Sequence, residues 1–114
     1  MTARIELYVV PVTDLPRART LYRTLLGVEP YVDEPYYAGF RAGDQEIGLD
    51  PNGHRNGASA PVAYFRVDDI GAALQGLLEA GATPQQDVRD VGGGKHIASV
   101  TDADGNTIAL VQSP

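Results

Sequence analysis

The fold is decided by LYVVPVTDL at residues 7–15 and by its repeat, VAYFRVDDI, at residues 62–70. Each copy is a strand-like run that ends in Val-x-Asp followed by Leu or Ile, and a helix-like segment comes next. Each helix-like segment is followed in turn by Gly-x-x-Pro, at residues 27–30 and 81–84. A unit that recurs after 55 residues predicts two structurally equivalent modules.

Periodicity and capping residues locate the elements of each module. In the first, residues 5–12 predict a strand, Asp14 an N-cap, residues 17–26 a helix that Gly27 ends, and residues 36–42 and 45–50 a hairpin. The second repeats this order, with a strand at 62–67, a helix at 69–80 and strands at 88–91, 97–101 and 107–112. Each half is therefore predicted as βαβββ with one sheet face left free of a helix. Two such halves must pair, so we expect a single domain with module 1 at 1–52, a linker at 53–60 and module 2 at 61–114.

Composition and charge exclude several classes of function. The formal net charge of -6 argues against nucleic acid as a partner, since phosphates require a basic surface, and it favours cationic ligands. The chain has no cysteine, so it has neither disulfides nor thiolate metal sites. No apolar run is long enough for a membrane span, and the first residues lack a signal-peptide core. We therefore expect a cytoplasmic protein without a membrane partner.

Five short motifs follow one another along essentially the whole chain. They are Val12-Thr13-Asp14-Leu15, then Ala18 with Leu21-Tyr22, Leu26-Gly27, Phe65-Arg66-Val67-Asp68-Asp69 and Asp102-Ala103-Asp104-Gly105-Asn106. In this order and spacing the chain resembles the vicinal oxygen chelate superfamily, which contains glyoxalase I, extradiol dioxygenases and fosfomycin- and bleomycin-resistance proteins. The resemblance implies an α+β fold in which two tandem βαβββ modules form a curved mixed sheet around a cleft, with the helices on the outer face.

The same resemblance raises the question of a metal. Metal-dependent members bind a divalent cation through His, Gln or Glu on the first strand of each module and Glu on the last. The matching positions here are Leu7 and Val62 on the first strands and Gly48 and Ala109 on the last. None of these side chains offers an oxygen, imidazole or thiolate lone pair. We therefore predict no metal in the family position and no cofactor.

Strand alternation predicts which residues face the cleft. Val10, Val12, Ile47, Leu49, Phe65, Val67, Ile108 and Leu110 are expected to pack in the core. The ligand-binding cleft is expected to include Leu7, Val9, Glu46, Gly48, Val62, Tyr64, Arg66, His96, Thr107 and Ala109. An apolar floor with a few polar groups is the usual composition of a small-molecule site.

Several polar residues keep more than one interpretation. Arg66 could anchor an anionic group of a ligand, or it could pair with Glu46 or Asp50. Glu46 could serve as a general base, although structural carboxylates are far more common. The aromatic group Tyr31, Tyr36, Tyr37 and Phe40 could be core, stack on a planar ligand or lie at a subunit interface.

Two functions from different classes remain. The first is a metal-free protein of the bleomycin-resistance type that binds a small aromatic or cationic molecule, such as an antibiotic. The alternative is a metal-independent or atypical-metal enzyme, a glyoxalase-like lyase, an isomerase or a dioxygenase, acting on a small oxygenated substrate. In either case we expect a homodimer, because pairing across chains covers open sheet edges.

Overall fold

The computed structural model describes residues 3–55 and 60–114. These residues form two compact units: one spans residues 6–62, and the other contains residues 63–114 with the N-terminal residues through Ile5. Residues 56–59, which belong to the predicted linker, lie outside the described residues. Neither helix of the described chain is long and apolar enough to cross a membrane.

The first module follows the predicted βαβββ order. Its elements are β1 (Arg4–Pro11), α1 (Leu15–Leu26), β2 (Val32–Glu34), β3 (Tyr37–Ala42) and β4 (Gln45–Asp50). Within this module the strands are ordered β2-β3-β4-β1. Strand β4 runs parallel to β1 and antiparallel to β3, so the sheet is mixed.

The second module repeats this arrangement. Its elements are β5 (Val62–Arg66), α2 (Ile70–Glu79), β6 (Thr83–Asp90), β7 (His96–Thr101) and β8 (Thr107–Gln112). The strands are ordered β5-β8-β7-β6, with β5 and β8 parallel. The predicted α+β class and the βαβββ order are thus confirmed in both modules.

One strand of the second module is longer than predicted. Strand β6 begins at Thr83, whereas the sequence pattern indicated a strand only from residue 88. Its pairing with β7 shifts register between Pro84 and Gln86 and again between Gln86 and Arg89. A proline and two irregularities break the regular alternation, and nearly every residue of the strand is exposed. The hydrophobic pattern therefore gave no signal for its first half.

The helix boundaries follow from capping. The Asp14 side chain accepts a hydrogen bond from the Arg17 backbone N–H at 3.0 Å, and Asp69 does the same for Ala72 at 3.0 Å. Helix α1 ends at Gly27, whose φ of 72° lies in the left-handed region. A residue with a β-carbon adopts this conformation only at a cost, so the glycine marks the end of the helix.

Each helix covers one face of the sheet of its own module. Against α1 the core contains Leu15, Ala38, Phe40 and Leu49, with Val10, Val12, Ala18, Tyr22, Leu26 and Ile47 packed around them. Against α2 it contains Ile70, Ala98 and Leu110, with Phe65, Val67, Ala73, Leu74, Leu77 and Val88. Seven of the eight predicted core positions lie in these two groups, and the remaining one, Ile108, is partly buried. The opposite face of each sheet carries the candidate site.

Candidate functional site

Strand pairing brings four of the predicted site residues together in the first module. On the face away from α1, Leu7 of β1 lies beside Glu46 of β4, and Val9 lies beside Gly48. The neighbouring strand β3 places Gly39 directly beside Gly48. Two paired glycines leave a depression in this face of the sheet because neither has a side chain.

The side chain of Tyr37 fills this depression. A β-carbon built on Gly48 would overlap the Tyr37 hydroxyl and would lie 2.6 Å from its Cζ atom. The hydroxyl donates a hydrogen bond to Oε2 of Glu46 at 2.8 Å. The space above Gly48, which the sequence pattern suggested as ligand volume, is thus occupied by a tyrosine of the same module.

Tyr31 and Arg41 complete the arrangement. The Tyr31 backbone N–H donates to the Gly39 carbonyl at 2.9 Å, which holds this tyrosine against the glycine pair. The Arg41 guanidinium lies over the Tyr31 ring, with its Cζ atom 4.1 Å from the ring centroid, a cation–π geometry. In the strand register of the hairpin, Arg41 of β3 lies directly opposite Glu46 of β4. We call Tyr31, Tyr37, Arg41 and Glu46 the Glu46 cluster.

Both tyrosines of the Glu46 cluster are held in their protonated form. Burial and then the hydrogen bond and negative charge of Glu46 raise the pKa of Tyr31 to about 12, with Arg41 acting in the opposite direction. The pKa of Tyr37 is raised further, by burial first and then by the charge and hydrogen bond of Glu46. Each phenol therefore keeps the proton that it can donate to the carboxylate.

The cluster is only partly closed to solvent. Tyr31 is 44% exposed and Arg41 is also exposed, while Tyr37 and Glu46 are half-buried. Part of the Tyr31 ring, the Arg41 guanidinium and part of the Glu46 side chain are therefore within reach of a small molecule. This mixture of apolar surface and convergent polar groups is typical of ligand sites.

The second module places four other predicted residues on the face away from α2: Tyr64, Arg66, Thr107 and Ala109. Tyr64 lies beside Ala109, and Arg66 lies beside Val111. Ala109 and Val111 are fully buried although they point away from α2. These two positions of β8 are therefore closed to solvent, whereas Arg66 is exposed.

A short polar network lies on the same face. The Ser99 hydroxyl donates to Oε1 of Gln85 at 2.8 Å, and Nε2 of Gln85 donates to the Thr107 hydroxyl at 3.2 Å. Ser99 pairs with Ala109, so the network borders the predicted site residues of β8. Ser99 is the one buried polar residue of the described chain, and its hydroxyl has a partner.

His96 and Val62 stand at strand ends. His96 has the same alternation as Ala98, which packs against α2, so the histidine lies on the face opposite Thr107 and Ala109. Its ring lies 3.2 Å from the Gly94 carbonyl and 3.9 Å from Asp90, in the turn that joins β6 to β7. Val62 opens β5.

The sequence interpretation left the role of the four aromatic residues open, and the structure separates them. Phe40 is fully buried in the core, Tyr36 is 63% exposed, and Tyr31 and Tyr37 belong to the Glu46 cluster. The alternation of residues in the predicted hairpin could have assigned Tyr37 to this face. Residues 37, 39 and 41 alternate with the core residues of β3, so they share the face of Glu46.

The four positions that the family resemblance assigns to metal ligands carry no side chain that could bind a metal. Leu7, Val62 and Ala109 are aliphatic, and Gly48 is covered by Tyr37. Among residues 3–55 and 60–114, no three His, Asp or Glu side chains come together to hold a metal ion.

The fold is similar to those of several solved structures. One is a hypothetical protein of Bacillus halodurans C-125 (TM-score 0.80, 14% identity, covering 100% of this chain and 96% of the other). Another is a glyoxalase/bleomycin resistance protein/dioxygenase superfamily member of Vibrio splendidus 12B01 (0.72, 15%, 99% and 100%). A third similar structure is methylmalonyl-CoA epimerase of Mycobacterium tuberculosis (0.72, 20%, 96% and 87%). At these identities the likeness concerns the fold alone.

A search of curated proteins gave no match. The family profile, by contrast, matches residues 4–110, which is nearly the whole chain. The chain therefore belongs to the Glyoxalase/Bleomycin resistance protein/Dioxygenase superfamily.

Proposed function

We propose that this chain binds a small aromatic or cationic molecule without a metal, on the sheet face opposite α1. The observation that carries the proposal is the Glu46 cluster, in which tyrosine rings and a carboxylate meet on a partly exposed surface. Aromatic faces bind planar and cationic groups, and the carboxylate supplies a charged partner for the second kind.

The absence of a metal from the proposal rests on side-chain chemistry. A divalent cation in the family position requires ligands at positions 7, 48, 62 and 109, and none of the residues there has a suitable lone pair. At Gly48 the volume that a ligating side chain would need is taken by the Tyr37 ring. No step through a metal is therefore proposed.

The enzymatic alternative gains no support from the geometry of Glu46. A general base needs a carboxylate oxygen that is free to take the substrate proton. Here Oε2 accepts the Tyr37 hydroxyl at 2.8 Å, and that phenol holds its proton firmly. A cation can bind to the carboxylate while this hydrogen bond stays in place. A catalytic role would also need a substrate proton within reach of Glu46, and no contact of the cluster indicates one.

The test is a titration followed by two-dimensional amide spectra of isotopically labelled protein. A panel of small aromatic cations and neutral aromatics should shift the amide signals of Gly39 and Gly48, because these backbone groups lie directly beneath the tyrosine rings. The Tyr31→Leu variant should weaken binding, while Tyr36→Leu, a change at an exposed tyrosine outside the cluster, serves as the matched control. Shifts confined to other parts of the chain would contradict the proposed site.

We also propose that the chain forms a homodimer. In the first module β2 is a terminal strand of only three residues, and in the second β6 is a terminal strand whose residues are mostly exposed. Strand edges with unpaired backbone groups favour association with another chain.

A further inference from the structure

We propose that the Glu46 cluster is a site for an organic cation of the amidinium or guanidinium type, and that the Arg41 guanidinium occupies this site when no ligand is bound. The inference rests on the proposed function and names the class of molecule that it would bind. It also assigns Arg41 the role of an internal competitor.

The first observation that supports the proposal is the position of Arg41. Its Cζ atom lies 4.1 Å from the centroid of the Tyr31 ring, well within the distance at which a cation is attracted to an aromatic face. A planar guanidinium is therefore already seated on the ring that a ligand would use. The surface of Tyr31 therefore already binds one planar cation, which belongs to the chain itself.

The second observation is the position of the Glu46 carboxylate. Glu46 lies directly opposite Arg41 in the β3–β4 register. Its Oε2 atom accepts the Tyr37 hydroxyl, and this hydrogen bond holds the carboxylate in place. A planar cation of two or more N–H groups matches a carboxylate through paired charge-assisted hydrogen bonds. A ligand that stacks on Tyr31 and bonds to Glu46 would use both parts of the site.

The third step concerns how a ligand enters. Arg41 lies near the end of β3 and is exposed, so its long side chain can leave the ring without opening the core. Since it is tethered beside the ring, it competes with a ligand as an intramolecular cation of high effective concentration. Removal of its charge should therefore strengthen the binding of an added cation.

The experiment compares benzamidine, an aromatic cation, with benzamide, a neutral molecule of nearly the same shape. Both are titrated by amide spectra against the parent chain and against Arg41→Gln. We expect Arg41→Gln to bind benzamidine about three-fold or more tightly than the parent does, the scale of an exposed cation–π contact. Benzamide affinity should not change.

Two further variants separate local from general effects. Arg17→Gln removes the same charge from an exposed position on α1, on the other side of the sheet, and should leave benzamidine affinity at the parent value. In the background of Arg41→Gln, Glu46→Gln should weaken benzamidine about ten-fold, the scale of a lost hydrogen bond to a charged group. Circular dichroism checks that each variant is folded.

The outcomes are distinct. If benzamidine binds Arg41→Gln no more tightly than the parent, or if Arg17→Gln strengthens binding equally, the role of Arg41 is refuted. Equal affinity for benzamide and benzamidine, with shifts at Gly39 and Gly48, refutes the cation site but leaves the proposed small-molecule function standing. No shift of these signals by either probe, or by the neutral and cationic aromatics of the wider panel, would overturn both.

Discussion

Replacing Gly48 by alanine tests the central feature of the first module, the tyrosine that covers this glycine. The new β-carbon would overlap the Tyr37 hydroxyl and approach Cζ and Cε1 to 2.6 and 2.7 Å. The ring must therefore move, and its movement breaks the 2.8 Å hydrogen bond to Glu46. Since both groups are half-buried, water replaces this bond only in part.

Two opposing contributions determine the size of the effect. Loss of a hydrogen bond to a charged group costs about 1.5–3 kcal/mol. Gly48 is not among the glycines with positive φ, so alanine suits its backbone and recovers about 0.4–1 kcal/mol by restricting the unfolded chain. The loss is the larger contribution, and we expect Gly48→Ala to lower the free energy of unfolding by about 1–2 kcal/mol.

The assay is urea unfolding followed by circular dichroism, because the chain contains no tryptophan. Gly39→Ala is the matched control: its β-carbon would meet Tyr37 at 3.1 Å and Tyr31 at 3.2 Å, contacts that small shifts relieve. In the double variant Gly48→Ala/Tyr37→Ala the overlap disappears, so the two effects should fall short of additivity by about 1 kcal/mol. A Gly48→Ala variant as stable as the parent, or strictly additive single changes, would refute the reasoning.

The remaining predictions concern other groups and the whole chain. Between pH 10 and 12 the folded chain should lose stability, because the unfolded state releases the Tyr31 proton at its ordinary pKa of 10.0 whereas the folded state holds it to about 12. Phenolate absorbance should show this ionisation at lower pH in Glu46→Gln, and an unchanged titration would contradict the cluster. Gln112→Met should cost about 1–3 kcal/mol of unfolding free energy, since the Gln112 side chain accepts the backbone N–H of Ile70 at 2.7 Å, and urea unfolding measures this. Elemental analysis of protein never exposed to chelator should find far less than one equivalent of zinc, nickel, iron or manganese, and stoichiometric metal would contradict the argument from side chains. Sedimentation should give a dimer, and a monomer at every micromolar concentration would count against it.

The elements of the fold were predictable where local chemistry marks them. Asp14 and Gly27 bound the first helix as expected, and the repeat placed the corresponding elements of the second module. The repeat predicted the βαβββ order, but no local pattern located β2 or the start of β6, because their residues are mostly exposed and show no alternation. Pairing with a neighbouring strand, which no local pattern records, is what makes them strands.

The candidate site was predictable in part. Alternation assigned Glu46 to the face opposite α1, and the parallel pairing of β1 with β4 places it beside Leu7. The contact of Tyr37 with Gly48 could not be read from the sequence, since it depends on how a side chain lies across a neighbouring strand. His96 shows the same limit. Its predicted place in the cleft required it to share a face with Thr107 and Ala109. In the structure it lies on the same face of β7 as Ala98, which packs against α2.

The glycine at position 48 and the tyrosine at position 37 are two aspects of one structural feature. The family resemblance assigns position 48 to a metal ligand, whereas glycine has no side chain to fill that volume. In the structure that volume holds the Tyr37 ring, and the ring in turn directs a hydrogen bond to Glu46. A carboxylate introduced at position 48 would therefore lose its space to Tyr37 and would lie beside the negative charge of Glu46, a pairing that like charges disfavour. A metal ligand at position 48 would therefore require at least two side chains, those at positions 37 and 48, to change together.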